Sequence, residues 1–169
     1  MHHLTKLGFG KPTKIQELAI PTLITGQDAI IISRTGSGKT LAYLIPLINK
    51  LNHHSNVAGV RGLIMAPTRE LALQIATVLK RLVTYQDHQL RVCLCTGGDS
   101  LEQQFQALSL NPDIIVATPG RIEYHLQQIH TLQGQFKTIQ YVVVDECDQM
   151  FEQQLLPQIQ EVLSYVNSP

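Results

Sequence analysis

Apolar positions along the 169-residue chain follow two rhythms. Short, nearly unbroken runs rich in β-branched residues occur at Asp28–Ser33, Gly62–Ala66, Arg91–Thr96, Asp113–Ala117 and Ile139–Asp145. They are too continuously apolar for strands with one wet face, which suits a parallel sheet covered on both sides. Longer stretches with helical spacing lie between them: Thr13–Leu23, Lys39–Leu51, Glu70–Tyr85, Leu101–Leu108, Pro119–Gln128 and Met150–Val166. Such alternation predicts βαβ units and a three-layer α/β domain. Pro46 falls inside the second helix, where its missing N–H should kink the axis. The 18 glutamines, several of them paired between 101 and 160, read as solvated helix faces. No internal repeat or low-complexity linker interrupts the pattern.

Length argues for one domain, 1–169, with enough chain to bury a core without disulfides or a structural metal. Hydrophobic residues make up 44% and charged residues 15%, which excludes a disordered tail. No apolar run approaches the roughly 20 residues that span a bilayer, and Met1–Gly10 lacks the features of a signal peptide. Three cysteines without a secretion signal point to a reducing, intracellular compartment, nucleus or cytoplasm. The 13 basic and 13 acidic residues cancel, so bulk attraction to a polyanion is excluded. Their distribution is uneven: residues 1–100 carry 11 basic and 5 acidic groups, residues 101–169 carry 2 and 8. The first half could face phosphates and the second could hold a divalent cation.

Candidate chemistry sharpens that split. Ser33-Arg34-Thr35-Gly36-Ser37-Gly38-Lys39-Thr40 follows one apolar run and opens a helical one. Strand, glycine loop, helix is the context of a P-loop, although Ser33 stands where the strict pattern has glycine. The glycines let successive N–H groups curl around a polyphosphate, and the helix N-terminus adds partial positive charge. Lys39 would reach the β- and γ-phosphates, and Thr40 would offer its hydroxyl to Mg²⁺. Tyr141-Val142-Val143-Val144-Asp145-Glu146 is an apolar strand ending in two carboxylates, the Walker B arrangement. Asp145 would hold Mg²⁺ beside the loop, and Glu146 would polarise an attacking water.

These and four further segments together resemble the DEAD-box RNA helicases. Asp145-Glu146-Cys147-Asp148 is similar to their signature tetrad, in a DECD form. Gly8 to Gln16 resembles the Q motif, and Ser33–Thr40 resembles motif I. Pro67-Thr68-Arg69-Glu70-Leu71-Ala72 resembles motif Ia, Gly97-Gly98 the GG motif, and Thr118-Pro119-Gly120-Arg121 motif Ib. The resemblance implies a RecA-like P-loop fold with ATP and Mg²⁺ as cofactors. It implies nucleotide contacts from Lys11, Gln16 and 33–40, with Gln16 reading adenine, and catalytic roles for Lys39, Asp145 and Glu146. It further implies contacts from Pro67, Thr68, Arg69, Gly98, Thr118, Pro119, Gly120 and Arg121 to the backbone of single-stranded or duplex RNA. Such contacts are weakly sequence-selective and salt-sensitive. Asp148 would couple the nucleotide site to neighbouring motifs. In the full-length protein, ATP hydrolysis would drive RNA unwinding or remodelling of RNA–protein complexes.

The resemblance also implies parts this chain lacks. A strand bearing Ser-Ala-Thr would lie between the P-loop strand and the Walker B strand, leaving the sheet here incomplete. A second helicase domain of the same polypeptide would supply an arginine finger worth about 10³–10⁵ in rate, so residues 1–169 alone should turn over almost no ATP. Cys147 replaces the usual Ala and reads as neutral packing. The rival readings are a non-catalytic RNA- or protein-binding module, against which Lys39 and Glu146 are both present, and a DNA-directed or other P-loop ATPase, against which Gln16 and the run Pro67-Thr68-Arg69-Glu70-Leu71-Ala72 weigh. The seven histidines show no metal-ligand spacing, with paired ones read as solvated loop residues. Cys93, Cys95, Tyr43 and Phe105 read as core.

Overall fold

The computed structural model describes residues 10–85 and 89–166, apart from the side chain of Tyr85. Gly8 and Phe9 of the 8–16 segment, and His2, His3 and His88, lie outside the described residues. Four parallel strands, β1 (Gly62–Met65), β2 (Val92–Cys95), β3 (Ile114–Ala117) and β4 (Tyr141–Val144), form a sheet in the order β2-β3-β1-β4. The eight helices among the described residues are α1 (Lys14–Ile24), α2 (Lys39–Leu51), α3 (Arg69–Tyr85), α4 (Leu101–Ser109), α5 (Pro119–Gln128), α6 (His130–Phe136), α7 (Cys147–Glu152) and α8 (Leu156–Ser164).

Each strand residue points to the opposite face from its neighbour, and both faces are covered. Ile64, Ile114 and Val116 pack with α2 and α3 through Leu44, Leu47, Ile75 and Leu79. Leu63, Met65, Ile115 and Ala117 pack with Ile122, Leu126, Phe136, Met150 and Val162 from α5 to α8. This two-sided burial is why the sequence shows unbroken apolar runs. The register pairs Met65 with Ala117 and Val144, and Cys95 with Ala117. It therefore lines up the carboxyl ends of all four strands, with the loops after them on one edge.

Three expectations are corrected. The run Asp28–Ser33 is not a strand. It has no ladder partner, because a groove of about 910 Å³ separates it from β4, with Ile31, Ser33 and Thr35 on one wall and Tyr141–Glu146 on the other. Ile30 and Ile32 are 88% and 87% exposed, as an apolar run is when no neighbour covers it. The helix expected over Met150–Val166 is two helices. Gln154 adopts φ +58, Leu155 N–H bonds the Met150 carbonyl and Gln154 N–H that of Phe151. That is a Schellman stop, after which Pro157 begins a new first turn. Helix α6 was not expected: Thr131 and Gly134 weaken its propensity, and only Leu132 and Phe136, one turn apart and buried, anchor it. Helix α2 runs through Pro46 from Lys39 to Leu51.

Candidate nucleotide and nucleic-acid site

The loop 33–38 turns on Gly36 and Gly38, at φ +78 and +96. Gly38 is the N-cap of α2. A Cβ there would come within 2.5 Å of Gln16 Nε2, so the position needs glycine for both reasons. Gln16 is buried and double-used: Thr13 N–H donates to its Oε1 at 3.1 Å, and its Nε2 donates to the Gly38 carbonyl at 3.1 Å. One amide thereby caps α1 and anchors the glycine loop. Lys39 Nζ folds onto the loop, donating to the carbonyls of Ser33 at 2.6 Å and Arg34 at 3.4 Å. The Ser33 and Ser37 hydroxyls meet at 2.7 Å. Arg34, Thr35 and Gly36 are exposed at the crest, as is Lys11.

Asp145 leaves β4 almost fully buried. Its Oδ2 accepts from Tyr43 O–H at 2.9 Å and its Oδ1 from the Glu146 N–H at 3.0 Å. Tyr43 stands one turn beyond Thr40 on α2. Burial, then the Asp145 charge, raise its pKa far above the ordinary phenol value, while a hydrogen bond from Thr40 opposes the rise. The phenol thus stays protonated and joins the Thr40 end of α2 to the carboxylate across the groove. Lys39, Tyr43, Asp145, Glu146 and Asp148 all face that groove. Glu146 is the N-cap of α7 at φ +51, a left-handed conformation that costs a non-glycine residue of order 1–2 kcal/mol. Its Oε2 accepts from Gln149 Nε2 at 2.6 Å. Cys147 is exposed in the first turn of α7 and is not the packed small residue expected, because the adjacent groove leaves that turn uncovered.

The second group of expected residues gathers around the ends of β1, β2 and β3. Thr68 caps α3, its Oγ1 accepting from Leu71 N–H at 3.2 Å. Arg69 Nη2 donates to Asp99 Oδ1 at 2.6 Å, with the two side chains 47% and 36% exposed. Asp99 Oδ2 accepts from Thr96 O–H at 2.9 Å. Gly98 lies at φ +85 beneath the Arg69 guanidinium, where a Cβ would collide. Thr118 N–H donates to the Cys95 carbonyl at 3.2 Å, and Thr118 is the N-cap of α5 with Pro119 at its first turn. Gly120 is exposed, and Arg121 lies 5.9 Å from the Tyr124 ring centre. Pro67 and Pro119 are buried.

Sequence reasoning missed Tyr43 and Asp99 as parts of these sites. The signal for Tyr43 was its i+3 spacing from Thr40, which places both on one helix face. Asp99 follows the glycine pair directly, where a short acid can accept from a neighbouring loop. It also missed His54, which is no solvated histidine: its Nδ1 meets Asp113 Oδ2 at 2.7 Å. Cys93 and Cys95 are buried, with sulfurs 3.7 Å apart. Among the described residues no cluster of His, Cys, Asp or Glu has metal-holding geometry by itself, and no helix is long and apolar enough to cross a membrane.

A family model described as DEAD/DEAH box helicase matches residues 13–169. Curated relatives include the ATP-dependent RNA helicase ddx54 of Dictyostelium discoideum, 47% identical over 95% of this chain and 14% of its own length. The ATP-dependent RNA helicase DBP10 of Coccidioides immitis is 48% identical over 95% of this chain and 17% of its own. Among solved structures, a DEAD box protein from Methanococcus jannaschii superposes with a TM-score of 0.87 at 35% identity, covering 98% of this chain and 44% of that one. Prp28 from Chaetomium thermophilum, bound to ADP, gives 0.85 at 36% identity, covering 96% and 39%. The chain therefore spans well under a fifth of these curated relatives and under half of these solved chains.

Proposed function

The chain belongs to the DEAD/DEAH box helicase family, and on that premise we propose that it is the nucleotide-gripping RecA-like domain of an ATP-dependent RNA helicase. The observation that carries the reading is the Tyr43 hydroxyl, which ties the Thr40 end of the P-loop helix to Asp145. Two hard oxygen donors, the Thr40 hydroxyl and the Asp145 carboxylate, suit Mg²⁺, which takes few protein ligands and leaves room for phosphate oxygens and water. When bound, the ion would neutralise charge on the β- and γ-phosphate oxygens.

The chain's own residues supply the rest. Backbone N–H groups of 34–39 and the N-terminus of α2 grip the terminal phosphates. Lys39 exchanges the Ser33 carbonyl for a phosphate oxygen. Gln16 retains one N–H and one lone pair beyond those spent on Gly38 and Thr13, the donor and acceptor that an adenine edge requires. Glu146 accepts the proton of the attacking water. Arg69, Gly98, Thr118 and Arg121 hold an RNA backbone on the adjoining edge, with Thr68 and Gly120 setting the turns and Asp148 linking the two sites.

The groove between Asp28–Ser33 and β4 supports a further strand of the full polypeptide lying there, completing the sheet. A second helicase domain and an intracellular setting belong to the same reading. The tetrad is read as a DECD variant whose exposed Cys147 substitutes freely for Ala.

In the complete polypeptide, Glu146→Gln lowers RNA-stimulated ATP hydrolysis by about 10²–10⁴-fold while nucleotide binding is kept, and Lys39→Ala loses both. Phosphate release and a fluorescent ADP analogue read the two effects. Unchanged hydrolysis in Glu146→Gln refutes the role of that carboxylate, whereas an unaltered polypeptide that binds nucleotide and RNA without hydrolysing ATP favours a non-catalytic module.

A further inference from the structure

Gln104 on α4 and His125 on α5 form a buried polar pair with no part in the chemistry above; they are 4% and 0% exposed. Their bonds fix the orientation of both. Gln104 Nε2 donates to the Thr96 carbonyl at 2.8 Å and reaches the Asp99 carbonyl at 3.5 Å. Its Oε1 is therefore the acceptor that faces His125 Nε2 at 2.8 Å. The imidazole must carry its proton on Nε2, leaving Nδ1 a buried acceptor with no donor beside it among the described residues. Phe105 and Tyr124 meet the ring edge-on at 5.1 and 5.8 Å and hold its plane.

An unpaired buried nitrogen is costly, and an apolar side chain would fill the core better. What the pair adds is direction. The two carbonyls that Gln104 holds bracket Gly97-Gly98, a pair with no side chains of its own to fix the turn, while His125 lies one helical turn beyond Arg121. The geometry points to Gln104 and His125 as positioning residues that lock the Gly97-Gly98 turn at one spacing from the first turn of α5. Neither touches nucleic acid; they remove in advance the ordering cost of a glycine turn that must meet a phosphate backbone together with Thr118 and Arg121. The inference rests on the proposed RNA face formed by Arg69, Gly98, Thr118 and Arg121.

The test uses the complete polypeptide, with anisotropy of a fluorescein-labelled oligouridine read beside affinity for a fluorescent ADP analogue. His125→Met and Gln104→Met each weaken oligouridine binding about 3- to 10-fold, with nucleotide affinity unchanged. His125→Gln, whose amide N–H reaches close to the position of Nε2, restores it. A parallel loss of both ligands that His125→Gln does not rescue means a purely structural role and overturns the inference. Arg121→Ala and Arg69→Ala separate the two layers. If they weaken oligouridine binding and the Met variants do not, the positioning role is wrong and the RNA face stands. If the arginine variants have no effect, the RNA face falls and the positioning role with it. Should one Met variant fail to fold, the other removes the same bond from the opposite side.

Discussion

The two sides of this sheet are held in different ways. Around β1, β2 and β3 the chain closes on itself. Arg69, Asp99, Thr96, Gln104 and His125 form a continuous run of bonds from α3 through the loop after β2 to α4 and α5. At the far end of the same strands, Asp113 is 1% exposed and gathers Arg61, His54 and the N–H groups of Ser55 and Arg91. Beside β4 the chain is open. The P-loop run and β4 share a groove, and the Tyr43–Asp145 bond reaches across it. The face proposed for RNA is tied together by side-chain bonds, whereas on the face proposed for nucleotide Lys39 donates to the backbone carbonyls of Ser33 and Arg34.

That contrast can be broken from the open side first. Ile32 is 87% exposed, so Ile32→Asp should leave the stability of residues 1–169 within about 0.5 kcal/mol. In the complete polypeptide, where a strand would cover it, the same change should cost about 3 kcal/mol or more, an uncompensated buried charge. Urea midpoints of the two proteins check this, and equal shifts would discard the inserted strand. On the closed side, Asp113→Ala should cost about 3 kcal/mol, since it strands Arg61 and several buried donors. A loss under 1 kcal/mol would mean that the amino ends of the strands are held by burial alone.

Smaller effects sharpen the picture. Tyr43→Phe should cost about 1–2 kcal/mol by leaving a buried carboxylate oxygen without its donor. It should also weaken Mg²⁺-dependent nucleotide binding, with little change when Mg²⁺ is withheld. The smallest effect is a pH slope. Burial, then the nearby Arg121 charge, lower the pKa of His125 from 6.5 to about 4. The folded state thus refuses a proton that the unfolded chain accepts, so stability is full above about pH 6.5 and declines as pH falls towards 4. Asp113, buried but receiving four sets of hydrogen bonds that outweigh that burial, also has a lowered pKa. Its contribution is present above the ordinary carboxylate value of about 3.9 and lost only below it. The two windows separate: His125→Met should flatten the slope between pH 6.5 and 4 and leave the acid limb intact.

Local pattern was enough for most of the frame. Lys39–Leu51 and Pro119–Gln128 are helices over the spans their spacing predicts, and four of five apolar runs are strands, shortened by one to three residues. These elements have their caps, glycines and two-sided burial written into adjacent residues. The tetrad, the glycine octet and the Thr-Pro-Gly-Arg turn were legible for the same reason, since backbone shape and charge there depend on neighbours in sequence. Strand identity at Asp28–Ser33 was not, because a strand is a relation to a partner and the partner is not beside it. The break at Gln153–Leu155 hid in glutamine, which tolerates the left-handed stop less readily than glycine.

What only the folded chain decided are the long-range pairs. Tyr43 with Asp145 is separated by 102 residues, His54 with Asp113 by 59, and Gln104 with His125 by 21. In one dimension each reads as a core aromatic, a solvated imidazole or a surface amide. Parallel register brings them within 3 Å of their partners, and a buried polar atom then has to satisfy whatever that register delivers.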